Sequence, residues 1–166
     1  MARRSNYEIL RIQTRNTAIM WKESRGVAPN SVADKMDDAM LQWMSELTDT
    51  LKIWLDKSIS MIDGELILAR TNMGALVESW LKFFYCVFYE DYIQNPKMMR
   101  GKMVEPNNMK FEDLKNFSTG ILWNDKNSSL YLWVDKIQHY RNADHAFNQE
   151  QVEHPLLGGR EKGVRS

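Results

Sequence analysis

Net charge is the first thing this chain of 166 residues lacks: 22 Lys and Arg are balanced by 22 Asp and Glu. That balance argues against coating nucleic acid by bulk electrostatics and leaves only a local basic site open. The single cysteine, Cys86, cannot close an internal disulfide, which points to a reducing setting. No apolar signal segment opens the chain, and its most apolar run, residues 80–89, is interrupted by Lys82 and too short to span a bilayer. A cytoplasmic protein with no membrane partner is expected. There is no Gly-rich phosphate loop, no Gly-x-Ser-x-Gly and no Cys-x-x-Cys. His139, His145 and His154 do not stand four apart, so no metal site is expected, and no cofactor is implied. Cys86, inside an aromatic run, reads as an inert buried thiol.

Strand signals and internal repeats are missing as well; helical periodicity is what remains. Hydrophobic residues make up 43% of the chain, enough for the core of one domain. A loose helical pattern starts at Ser5 and is broken between Ser24 and Pro29. Met36, Met40, Met44, Leu47, Leu51, Trp54 and Leu55 then fall near a period of 3.6, which predicts one helix over about 31–60 with Ser31 as its N-cap. Residues 63–92 are apolar nearly all round, the pattern of a buried helix, and Gly64 and Gly74 within it allow a neighbour to approach closely. Trp80, Phe84, Leu76 and Met44 are therefore expected to be nearly fully buried. Glu78 and Lys82 stand four apart in the favourable order for an ion pair. Residues 97–108, with Lys97, Arg100 and Lys102, read as a mobile, locally basic loop. Two further helices are predicted, over about 110–123 and, capped by Ser128, about 129–147. The expected fold is all-α: a compact bundle of four to five helices in one domain over 1–166, its core at about 5–150 and a flexible tail at 151–166.

The chemistry gathers at the end of the last helix. Leu130, Trp133, Val134 and Ile137 form an apolar stripe, and the same spacing continues into Arg141 and His145. A guanidinium at a core position is costly unless paired. This end of the stripe therefore reads as facing a cleft, a partner chain or an anionic ligand. Arg is shaped to hold a phosphate with two parallel hydrogen bonds, and His moves protons near neutral pH. One helical turn apart, the two could grip a phosphodiester and take the proton from a neighbouring 2′-hydroxyl. Asn142 could donate a hydrogen bond, Asp144 could orient the imidazole or pair with the arginine, and Tyr140 could hold Asp144. The plain alternative is a surface salt bridge of Arg141 with Asp144 or Glu150 beside an exposed histidine.

The stretch Tyr140-Arg141-Asn142-Ala143-Asp144-His145-Ala146-Phe147, late in an all-α chain, resembles the Arg-Asn…His motif of the HEPN superfamily. Glu78 and Lys82 match the Glu-x3-Lys pattern that the earlier buried helix of such domains often carries. The resemblance covers roughly residues 31–150. It implies a metal-independent ribonuclease of a bacterial toxin–antitoxin or phage-defence system, with Arg141 and His145 as the catalytic pair. It also implies a homodimer that shares one composite site, RNA as substrate, and an antitoxin or regulatory protein as a further partner. Other members of the family have lost catalysis and bind nucleotides or proteins. The family leaves four to six residues between Arg and His, and this chain leaves three, which keeps both side chains on one helix face.

Overall fold

A computed structural model describes residues 5–143. The fold is all-α, with seven α-helices and one two-stranded hairpin among the described residues. The order is α1 (Asn6–Lys22), α2 (Asn30–Asp38), α3 (Leu41–Lys57), α4 (Asp63–Val87), α5 (Tyr89–Tyr92), β1 (Met98–Met99), β2 (Lys102–Met103), α6 (Phe111–Phe117) and α7 (Ser129–Ala143). No described helix is long and apolar enough to cross a membrane. The expected tail at 151–166 lies outside the described residues.

Caps and breakers explain most boundaries. Ser5 Oγ accepts the amide of Glu8 at 3.2 Å and starts α1. Ser128 Oγ accepts the amide of Tyr131 at 3.3 Å and starts α7, as its position predicts. Gly120, at φ +84°, accompanies a turn that stops α6 short of the expected 123. The predicted helix over 31–60 is two helices. The chain is extended at Ala39, between α2 and α3, and Met40 at the break is 63% exposed. Met36 and Met44 are both buried, and eight residues apart, about 80° around a straight helix, they would lie toward the two edges of one stripe. The break lets both reach the core, while Arg25 holds Asp34 and Asp37 on the outer side of α2. Helix α2 begins at Asn30 after Pro29, and the hydroxyl of Ser31, expected to cap it, donates instead to Glu90 Oε1.

Helix α4 is the axis, packed by α2, α3, α6 and α7. On one side Leu81 and Tyr85 join Phe111 and Leu114 of α6 and Tyr131 and Val134 of α7. On another, Cys86 joins Val32, Met36, Leu41 and Met44. The all-round apolar pattern thus reports two cores served by one helix. Leu76 and Met44 are buried as expected. Trp80 and Phe84 are only partly buried, because each flanks one of the two cores instead of lying between them. Burial pushes the Cys86 thiol up to about 11, consistent with an unreactive, protonated side chain at neutral pH.

The basic stretch after α5, expected as a loop, forms a hairpin. Met98 pairs with Met103 and Met99 with Lys102 across a two-residue turn, Arg100-Gly101. Both turn residues have positive φ, +50° and +76°, the geometry that suits the right-handed twist of the strands. Gly adopts it freely; Arg does so at a cost of about 1 kcal/mol. The Tyr92 hydroxyl accepts the Lys97 amide at 3.1 Å and donates to the Val104 carbonyl, fastening the base of the hairpin.

Candidate functional site

Arg141 lies near the C-terminal end of the described part of α7, beside the middle of α4. The buried face of α7 is not the stripe read from the sequence. Val134 is buried and Ile137 half-buried, but Leu130 and Trp133 are 48% and 46% exposed. The face that enters the core is Tyr131, Val134 and Gln138, and it leads to Arg141. The register is turned because α7 must present residues to α4 and α6 together, and Tyr131 and Gln138 supply the α6 side. Gln138 is buried, at 5% exposure. Its Oε1 is buried with no hydrogen-bond partner among the described residues.

The closest seat for Arg141 is Gly74. A Cβ built there would stand 2.7 Å from Arg141 Cδ and 2.9 Å from its Cβ, distances that ordinary packing does not allow. The arginine stem therefore uses the space that the missing side chain leaves. One turn further along α4, Glu78 Oε2 accepts a hydrogen bond from Arg141 Nη1. The other oxygen of the same carboxylate, Oε1, binds Lys82 Nζ at 2.8 Å. The ring of Phe111 lies 5.8 Å from the guanidinium carbon, within cation–π range. Glu78 is largely buried, while the side chains of Arg141 and Lys82 keep 33% and 29% exposure. Among the described residues, Arg141 Nε and Nη2 carry no hydrogen bond. Among the described residues one carboxylate thus serves two cations, which leaves that group a surplus positive charge and unused guanidinium donors.

The Glu78–Lys82 pair is present, and it joins α4 to α7 through Arg141 rather than lying on a plain solvated stripe. Within the described residues Arg141 pairs with Glu78 across 63 positions of chain; its expected alternative partners Asp144 and Glu150 lie outside the described residues. Tyr140 sits within reach of two cations, with Arg70 4.5 Å and Lys136 5.6 Å from its ring centre. Asn142 is exposed, and so is His139, whose ring tilts against Tyr140. Asp144 and His145 lie outside the described residues, as does the proposed hold of Tyr140 on Asp144. Gly74 had a signal in the sequence, a glycine inside a helix. Arg70 had one too, as one of the few polar residues in the apolar run of α4, but Phe111 and Gln138 had none, because nothing local connects them to Arg141. Among the described residues no group of three His, Cys, Asp or Glu could hold a metal ion. No protein-family model, no curated protein and no solved structure matches the chain.

Proposed function

We propose that this protein is a metal-independent endoribonuclease of the HEPN type, working as a homodimer in a toxin or phage-defence system. The observation that supports this reading best is the Glu78–Lys82–Arg141 group. Its carboxylate holds Arg141 by one nitrogen, and two half-buried cations share that single negative charge. A phosphodiester would complete the charge and take the remaining guanidinium donors in bidentate fashion. In the proposed reaction His145 takes the proton of the ribose 2′-hydroxyl. The 2′-oxygen bonds to phosphorus, the bond from phosphorus to the 5′-oxygen breaks, and the leaving oxygen takes a proton from the medium. The products are a 2′,3′-cyclic phosphate and a 5′-hydroxyl. Arg141 and Lys82 would neutralise the charge that grows on the phosphoryl oxygens.

Incubation of single-stranded RNA with the protein in EDTA tests this directly. Cleavage that leaves 2′,3′-cyclic phosphate ends is expected; intact RNA over a wide range of protein concentrations rejects it. Light scattering tests the dimer, for which Leu130 and Trp133 offer half-exposed apolar area beside the site. A particle of the 19.6 kDa of one chain at micromolar concentration rules the dimer out.

The second reading is a non-catalytic module that binds a nucleotide or a partner protein at the same place. The engagement of Arg141 by Glu78 favours it, since a guanidinium already paired binds anions without needing a base. Phosphate-dependent binding without RNA cleavage would select it.

A further inference from the structure

We infer that the β1–β2 hairpin is a second contact for single-stranded nucleic acid, gripping the phosphate backbone with Arg100 and Lys102 and bases with Met98, Met99 and Met103. The choice of RNA as ligand rests on the ribonuclease reading; the hairpin's own features do not.

Five observations converge on this element. Its base is fixed: Tyr92 bridges the two strands, Lys97 pairs with Asp113 of α6 at 3.1 Å, and Glu105 accepts from Tyr89 and from Lys35 at 2.8 Å. Its tip is open: Met98, Met99 and Met103 are 52%, 59% and 37% exposed, in a chain with no shortage of core positions for methionine. The register places Met98 opposite Met103 on one face and Met99 opposite Lys102 on the other, so both faces carry a thioether. Arg100 occupies a left-handed turn position that Asn or Gly fills without strain, so a cation is kept at the apex against backbone preference. Among the described residues neither Arg100 nor Lys102 pairs with a carboxylate.

The order of these groups selects the ligand. A hairpin that enters a bilayer leads with apolar residues and keeps its cations behind, at headgroup depth. Here the cations lead and the methionines follow. That order suits a strand whose phosphates meet the apex while its base faces lie on polarizable sulfur. A chain of zero net charge would then bind RNA through two local basic elements, this finger and the Arg141 group.

The test uses a fluorescent single-stranded RNA of about 12 nucleotides, in the footprint range of small single-strand binders. Binding is measured by anisotropy with the full chain carrying His145→Ala, so that cleavage does not intervene. Arg100→Glu with Lys102→Glu should weaken binding at least about tenfold at low salt. It should also flatten the plot of log affinity against log salt by about 0.7 for each lost phosphate contact. Arg100→Asn suits the turn better than arginine does, so it tests the charge without risk to the fold; it should weaken binding in the same direction. Serine at Met98, Met99 and Met103 together should lower affinity while leaving the salt slope unchanged. Unchanged affinity and slope in the charge variants overturn the inference. So does binding of phosphatidylserine-containing vesicles through the same residues without binding of RNA. The two readings fail separately. Hairpin-dependent RNA binding by a chain that never cleaves keeps the finger and removes the nuclease. Full cleavage and binding by the charge variants keep the nuclease and remove the finger.

Discussion

Helix α7 carries two ion groups, and they are built in opposite ways. Toward α6, Lys115 is held by Asp135 at 2.6 Å and Glu112 at 3.0 Å. There the cation is buried, at 5% side-chain exposure, and both carboxylates reach solvent. Toward α4, Glu78 is the buried partner and the cations Arg141 and Lys82 reach solvent. The first group has two negative charges for one positive and nothing left for an anion. Among the described residues the second has one negative for two positive and unused donors. Both tie α7 to a neighbour, so ion pairing alone does not separate a structural site from a binding site. The charge left over, and which partner faces water, does.

The largest effect that tests this difference is on activity. Arg141→Ala and His145→Ala are each expected to lower RNA cleavage by about a thousandfold or more, with an unchanged circular dichroism spectrum. The double variant should be little worse than either single one, because the two groups would act as a unit. Lys115→Ala should leave cleavage untouched; if it abolishes cleavage with the fold intact, the contrast between the two groups is gone.

Glu78→Gln comes next. It keeps the size of the side chain and removes the charge that holds Arg141, and a misplacement of about 1 Å costs on the order of a hundredfold in rate. A kcat loss of about that size with KM little changed is the expected kinetic result, and unchanged kcat would show that Glu78 does not position Arg141. Lys115→Ala is expected to cost about 2 kcal/mol in urea denaturation, chiefly through its buried stem, because its half-exposed carboxylates can hydrate.

Gly74→Ala has a smaller net effect with two opposing parts. Alanine gains about 1 kcal/mol of helix propensity, while overpacking against the arginine stem costs about 1–3 kcal/mol. A net loss of about 1 kcal/mol is expected, with a fall in cleavage larger than stability explains. A stabilised and fully active variant would show that Arg141 does not need the gap.

The smallest effect is alkaline. Burial raises the Cys86 thiol from 9.0 to about 11 and also raises the Tyr85, Tyr89 and Tyr92 hydroxyls. Lys115 is raised too: burial opposes its charge, and the hydrogen bonds to Asp135 and Glu112 outweigh that. In each case the unfolded group loses its proton first, so the stabilisation is complete below the unfolded value and fades as pH rises through the folded one. Stability should therefore decline from about pH 9 to beyond about 11; denaturation midpoints that stay flat over that range contradict it.

Local pattern carried the fold a long way. The all-round apolar run of α4, the Ser128 cap and the Glu78–Lys82 spacing were all legible, because each rests on contacts within a turn or two of chain. The single helix over 31–60 was not, since the methionine stripe continues across a break that only two separate packing demands create. The face of α7 was misread for a related reason. Leu130 and Trp133 are more apolar than Gln138, yet Gln138 is the buried one, because it shares the face that α7 turns to the core with Tyr131 and Val134. A basic, methionine-rich stretch with a Gly looked like a loop, although Arg-Gly at its centre is also the length of a hairpin turn.

By itself the sequence determined the all-α class, the central helix and the placing of Arg141 one turn past the packed part of the last helix. These follow from periodicity and capping, which act over a few residues. Only the tertiary structure decided what Arg141 meets. Gly74, Glu78 and Phe111 reach it from two other helices, up to 67 positions away in the chain (141 against 74). Whether that guanidinium is closed off like Lys115 or left with charge to spare depends on how many carboxylates the neighbouring helices bring to it, and helix-to-helix packing sets that number.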